Sequence, residues 1–291
     1  MKHPGLYISI SALLLLSGCN PSSSDPIPDE PKLEKVYYLP GELAETSGII
    51  IYDSLVWTFN DSGNEPALFG IGISDSAVKK KIFLQNALNT DWEDITQDEI
   101  TIYIGDIGNS SGDRDFLTIY LLSKDSITSE PVQYLSAPAI TFNYAFQENF
   151  VCQYHNTEYD CEALFSMGDS LFILTKDWIS QNTALFGFPK NPGHYPVETI
   201  ADFDSEGLVT GASYSAEENQ LAICGYDEFI PFIILMELER ISDFKDPRFA
   251  RYDLYDNAGL QIEGIDYDGS QICLSSELSS ELQSFYHFTA N

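Results

Sequence analysis

Positive charge is what this chain has least of. Its 14 Lys and Arg stand against 45 Asp and Glu, for a formal net charge of −31. A chain so acidic is repelled by nucleic acid and by anionic lipid headgroups, which argues against both as partners. A site for anionic phosphates is also hard to build on it without a bound cation. Histidine is equally sparse: the four are His3, His155, His194 and His287, and no Cys/His group has zinc-ligand spacing. The chain has no Gly-x-Ser-x-Gly elbow, and none of the four sits near an anchored Ser, so Ser/His nucleophilic catalysis is disfavoured. Helical periodicity is almost absent, and beyond residue 16 no long apolar run occurs.

The N-terminus is a different matter. Lys2 precedes an apolar run from Leu6 to Leu16 that ends in Leu16-Ser17-Gly18-Cys19. The run is an export signal too short to span a membrane as a helix. Its end resembles the lipobox of bacterial lipoproteins, which implies cleavage before Cys19 and acylation of its thiol. Residues 1–18 are then a signal peptide, residues 19–34 a Ser/Pro/Asp-rich tether, and residues 35–291 one domain. The expected location is the bacterial cell envelope, lipid-anchored through Cys19 to the outer membrane and facing the periplasm or the surface. An ordinary secretory signal with a chance cysteine is the alternative. Export favours oxidised thiols, so Cys152 and Cys161, with eight residues between them, are a disulfide candidate. Cys224 and Cys273 lie in apolar runs and read as buried free thiols.

From residue 35 onward the chain is a series of short β-runs bounded by turn residues. One stretch, Asp91-Trp92-Glu93-Asp94-Ile95, recurs in weaker copies: Glu45-Thr46-Ser47-Gly48-Ile49, Asp160-Cys161-Glu162-Ala163-Leu164, Val209-Thr210-Gly211-Ala212 and Gln261-Ile262-Glu263-Gly264-Ile265. The aligned positions 47, 93, 162, 210 and 263 are 46, 69, 48 and 53 residues apart. Periods of about 40–50 residues with four strands each predict an all-β, five-bladed β-propeller. Lys35 to Leu39 has no partner of its own and is expected to close the ring against the last blade, leaving no open sheet edge at the seam. A six-bladed ring, with the 69-residue interval as one and a half units, is the alternative.

The innermost strand of each blade lines the axis, so Ser47, Glu93, Glu162, Thr210 and Glu263 are expected to surround it. Three carboxylates so close take up protons unless a cation lies between them. Ca²⁺, with six to eight oxygen ligands at about 2.3–2.6 Å, is the abundant candidate outside the cell. The plainer reading is that these residues bond to neighbouring backbone. A second ring is expected at the end of each second strand: Asn60-Asp61, Gly105-Asp106, Lys176-Asp177, Tyr226-Asp227 and Ser276-Glu277. It reads either as a polar funnel on the calcium face or as turn acids bonding loop N–H groups. Arg114 and Lys176 are the cations near it, and either can orient an anion.

The order Ser, Glu, Glu, Thr, Glu over five blades resembles the calcium-activated nucleotidases (apyrases), five-bladed propellers with an axial Ca²⁺. The matching segments are Glu45-Thr-Ser47-Gly-Ile, Trp92-Glu93-Asp-Ile, Ile102-Tyr-Ile-Gly105-Asp-Ile-Gly108, Cys161-Glu162-Ala and Ile262-Glu263-Gly-Ile. The resemblance implies Ca²⁺ ligands at Ser47, Glu93, Glu162, Thr210 and Glu263, and an acid near a reacting phosphate at Asp61. The basic residues that a nucleotide needs are sparse here. The stretches Asn60-Asp-Ser-Gly-Asn-Glu-Pro-Ala-Leu68, Asp91–Ile95 and Tyr103-Ile-Gly-Asp-Ile-Gly108 also resemble a group of bacterial secreted propeller proteins to which no reaction is assigned.

Two functions are expected on these grounds. The first is a monomeric, Ca²⁺-stabilised binding module that shows its funnel to a small-molecule or protein ligand. The second is a Ca²⁺-dependent apyrase-like or phosphoester hydrolase, with the ion as Lewis acid. Its catalytic candidates are Asp61 and Asp106 as base, with Asp177 and Arg114 beside them.

Overall fold

The computed structural model describes residues 31–290. The signal peptide, Cys19 and most of the tether lie outside the described residues. The described chain is all-β: five small antiparallel-cored sheets, each one blade of a propeller. From the axis outward, blade 1 is Thr46–Tyr52, Leu55–Asn60, Ala67–Gly72, Val78–Leu84 and Val132–Leu135. Blade 2 is Trp92–Gln97, Thr101–Asp106, Leu117–Ser123, Ala139–Tyr144 and Gly193–Val197. Blade 3 is Cys161–Met167, Ser170–Thr175, Thr183–Pro189 and Ala201–Phe203. Blade 4 is Leu208–Ser215, Gln220–Asp227, Ile230–Glu237 and Phe249–Asp253, and blade 5 is Ile262–Asp268, Gln271–Ser276, Ser284–Thr289 and Lys32–Tyr38.

The N-terminal strand therefore closes the ring as expected, pairing antiparallel with Ser284–Thr289 and starting three residues earlier than the sequence suggests. The long interval between the second and third anchors is not part of a sixth blade. It holds Val132–Leu135, which returns to lie parallel on the outer strand of blade 1, and a loop over residues 145–160. Blade 3 in turn lends Gly193–Val197 to the edge of blade 2. Each loan covers a sheet edge and ties neighbouring blades together.

Five apolar clusters fill the spaces between successive blades rather than a single centre. Between blades 1 and 2, for example, Trp57 and Phe59 meet Trp92, Ile95 and Ile104, all essentially buried. Phe59 and Trp92 pack edge to face with centroids 5.3 Å apart. The other four clusters occupy the remaining interfaces. The strands read as near-continuous apolar runs because both faces of each blade are covered by the next blade.

One expected pairing does not form. Cys161 is fully buried among apolar side chains while Cys152 lies exposed in the loop, and both are free thiols. The core strand holds one sulfur inward and the loop carries the other out to solvent. Cys224 and Cys273 are buried, as their apolar surroundings imply.

Candidate functional site

The five innermost strands share a defect that the sequence repeat encodes. In each one, the ladder to the second strand slips at the anchor: at residues 47–48, 93–94, 162, 210 and 263. A β-bulge inserts an unpaired residue and re-aims its side chain. Here it turns the anchors out of the sheet and toward the axis.

The anchors do not all do the same thing there. Ser47 Oγ donates to the carbonyl of Glu93, and Thr210 Oγ1 donates to the carbonyl of Ile262 at 2.6 Å. Both hydroxyls thus stitch one blade to the next, and Thr210 lies outside the lining of the cavity above. Glu93, Glu162 and Glu263 line that cavity, which holds about 330 Å³ at the mouth of the channel. Lys176 stands among them. Its Nζ lies 3.2 Å from Glu162 Oε1, with both side chains buried, and 5.0 and 5.2 Å from the ring centroids of Trp178 and Tyr226. Burial opposes the charge on Lys176, but Glu162, Glu263 and Tyr226 outweigh it and hold the ammonium well above its ordinary range. A cation of the protein's own therefore stands beside Glu162 and within the field of Glu263, two of the five expected axial ligands. Of those five, Ser47 and Thr210 donate their hydroxyl hydrogens to carbonyls, and Glu162 is paired with Lys176.

The second ring is offset by one residue in three blades. The backbone N–H groups of Asp61, Ile107, Lys176 and Glu277 bond back to the carbonyls of Glu45, Asp91, Asp160 and Gln261, which makes these four equivalent. Through the pairing of Val209 with Gly225, Tyr226 is the fifth. The ring is therefore Asp61, Ile107, Lys176, Tyr226 and Glu277, not five carboxylates. Four of these face the cavity and Ile107 packs in the core. A one-residue shift along a strand reverses the side chain, so Asp106, Asp177 and Asp227 point elsewhere.

Asp106 is 3% exposed and accepts from Arg114 Nη2 at 2.9 Å and from the Asp91 N–H at 3.0 Å. Arg114 also donates to the carbonyls of Gly108 and Asp106, so its guanidinium braces the loop after the second strand. The carboxylate of Asp177 accepts from the N–H groups of Ile179 and Ser180 and from the Ser180 hydroxyl, forming a turn. Of the four catalytic candidates, Asp61 alone lines the cavity.

Asp61 finds different company there. Oxygens of Asp61, Asp91 and Glu93 lie within 4.8 Å of one another. Asn89 places Asp61 by donating to the carbonyls of Asn60 and Asp61, while the carbonyl oxygen of its own amide takes the Trp92 N–H at 3.1 Å. The Gly108 backbone leaves room for the trio: a Cβ there falls 2.3 Å from both Asp91 Oδ2 and Glu93 Oε1. Burial raises all three carboxyls, and neighbouring acids add to it: Glu162, Asp61 and Asp91 on Glu93, Asp61 on Asp91, and Glu45 on Asp61. Asp91 is pushed up to about 7 and Glu93 well above its ordinary range. Glu93 is 9% exposed, and its carboxylate accepts no hydrogen bond among the described residues. Across the cavity burial pushes Glu263 up to about 8 and Glu277 to about 7, while Lys176 opposes both shifts. In Glu162 burial raises the carboxyl, again against Lys176.

Below the cavity two further carboxylates close the channel. Asp94 is fully buried, and accepts from Ile95 and Leu164 N–H at 2.8 Å and from Ala212 N–H at 3.2 Å, joining blades 2, 3 and 4. Gly48 makes room for it, since a Cβ there falls 2.5 Å from Asp94 Oδ1. Asp266 accepts from the Ile51 N–H and the Ser213 hydroxyl, joining blades 5, 1 and 4. Asp91, Asp94 and Asp266 are missing from the sequence-based site. A period-2 rule finds the first: two residues before the anchors stand Glu45, Asp91, Asp160 and Gln261, on the same side of the strand. Asp94 and Asp266 carry no such signal, because their partners come from other blades.

No protein-family model matches this chain, and no curated protein matches it. Among solved structures it is similar to the WD40 repeats of RRP9, at 6% identity, TM-score 0.48, and coverage of 90% of this chain and 100% of that one. It is also similar to the WD40 β-propeller domain of Doa1, at 9% identity, TM-score 0.43, and coverage of 87% and 96%. The hydrazine synthase of Kuenenia stuttgartiensis matches at 11% identity, TM-score 0.43, and coverage of 83% and 78%. The five blades rest on the strand pairings themselves.

Proposed function

We propose that this chain is an exported, lipid-anchored binding module that holds a calcium ion off the propeller axis, on Asp61, Asp91 and Glu93, and presents the acidic cavity face to a ligand. The β-propeller fold suggests a module that binds proteins or ligands. One observation carries the calcium reading: the carboxylate of Glu93 is nine-tenths buried, unpartnered among the described residues, and within reach of two more carboxylates. Burying a charge without a partner costs several kcal/mol unless the group takes a proton or a cation. Ca²⁺ suits an all-oxygen site of flexible geometry, and water would complete its shell. Anchoring rests on the Leu16-Ser17-Gly18-Cys19 motif.

The test of the ion is thermal unfolding in chelator and in about 1 mM Ca²⁺, the affinity range of extracellular modules. The midpoint is expected to rise by several degrees with Ca²⁺, and Glu93→Gln to abolish the rise. Equal midpoints in the wild-type protein would sink the reading. Labelled palmitate incorporation that Cys19→Ala removes tests the anchor. The hydrolase alternative keeps Asp61 but has Asp106, Arg114 and Asp177 in structural bonds. Phosphate release from nucleoside di- and triphosphates, with and without Ca²⁺, measures it directly.

A further inference from the structure

Exposed apolar side chains are not spread evenly over this molecule. Of the 17 large ones among the described residues, eleven lie on the loops that surround the acidic cavity, whereas the loops of the opposite face carry Ile100 alone. Six of the eleven stand on three neighbouring loops: Phe116, Phe146, Phe150, Val151, Tyr154 and Ile179. Their three loops, after the second strands of blades 2 and 3 and over residues 145–160, are bound to one another. Gln153 and His155 N–H donate to the carbonyls of Ser111 and Ser110, Gln147 Nε2 to that of Gly112, and Trp178 N–H to that of Thr157. The same loops reach the cavity wall, where Tyr154 and Trp178 stack on His155. Large apolar side chains gathered on one exposed group of loops mark an interaction site.

Charge says what kind of partner it fits. Asp113, Asp115, Glu148 and Glu158 stand on the same loops. The two cations there, Arg114 and Lys176, are already paired with Asp106 and Glu162. An apolar surface edged with unpaired acids favours an apolar segment that carries Lys or Arg, and disfavours an anionic bilayer.

We propose that this patch docks a protein segment in which large apolar side chains are interspersed with Lys or Arg. The proposal rests on the reading of the chain as a binding module and is independent of the calcium site. The test is fluorescence anisotropy with three labelled peptides of equal length: Leu/Trp with Lys, the same with Glu for Lys, and the same with Ser for Leu and Trp. Each is titrated in chelator and in Ca²⁺, so that a failed calcium site leaves this result readable. The Lys peptide alone is expected to bind. Phe150→Ser with Tyr154→Ser, and separately Glu148→Lys with Glu158→Lys, should each weaken it by about tenfold or more, the scale of losing one or two anchor contacts. All four residues are exposed, so folding is retained, and circular dichroism checks it. Unchanged affinity in both double variants, equal binding of the Glu peptide, or no binding of the Lys peptide overturns the proposal. Binding to phosphatidylglycerol vesicles in place of the peptide assigns the patch to a membrane and overturns it equally.

Discussion

Two sets of carboxylates share one channel and differ in what they meet. In the lower channel Asp94 and Asp266 are engaged by N–H and O–H donors that join three blades each. In the cavity above, Asp61, Asp91 and Glu93 face each other, and Glu93 has no donor at all among the described residues. Burial alone therefore does not mark a site, because Glu93 is buried as Asp94 and Asp266 are, while Asp61 and Asp91 beside it are half-buried. Partnering separates them: a carboxylate given several donors is a rivet, and one given two more carboxylates is a place for a cation. Lys176 beside Glu162 is an intermediate case, an acid whose cation is supplied by the chain.

The comparison breaks most visibly at Asp94. Asp94→Ala strands three buried N–H groups at about 1–3 kcal/mol each, so the unfolding free energy should fall by several kcal/mol in a urea titration, Ca²⁺ present or not. Lys176→Met should rank next, leaving Glu162 and Glu263 uncompensated. Breaking a buried pair costs about 3–5 kcal/mol, and lower pH should recover part of this as the acids take up protons. Glu93→Gln should do the reverse of Asp94→Ala. It relieves repulsion, so the chelated protein should melt higher than wild type while its response to Ca²⁺ disappears in the same scan.

A subtler variant tests geometry alone. Gly108→Ala thrusts a methyl between Asp91 and Glu93. Both can swing aside, so stability in chelator should change by less than about 1 kcal/mol, the range of a substitution without a core cavity or lost network. The calcium-dependent shift should nevertheless be lost. The pH dependence of the chelated wild type is set by the acids of the same cavity. Asp91, Glu277 and Glu263 have folded values of about 7, 7 and 8, above the unfolded values, so the native state binds more protons than the unfolded chain. Stability should be greatest near the unfolded carboxylate pKa of about 4 and decline as pH rises through 7 to 8. Ca²⁺ should flatten that slope by holding the trio ionised.

Much of the architecture was legible because it is local and periodic. Alternating turn residues and apolar runs mark the strands. The spacing of Ser47, Glu93, Glu162, Thr210 and Glu263 marks the blades, and the unpaired N-terminal run marks the closure. The cavity was legible only in part. Reading Asp106 and Asp177 as equivalents of Asp61 missed the register by one residue, and a strand reverses its side chains at every step. The true equivalents, Ile107 and Lys176, include the one cation that changes the electrostatics of the axis. The alignment of anchors also treated five residues as alike, whereas Ser47 and Thr210 bond to carbonyls that only the next blade supplies.

Composition, turn chemistry and the repeat thus determined by themselves that this chain is acidic, all-β and five-bladed, with oxygens aimed at one axis. Each of those properties is a sum over the chain, a local pattern, or the spacing at which that pattern recurs. Which oxygens remain unpartnered was decided by the tertiary structure alone. The donors and cations that satisfy Asp94, Asp266, Glu162 and Asp106 lie anywhere from one residue to more than two hundred away in sequence. Only the closure of the ring brings the more distant of them within hydrogen-bond range.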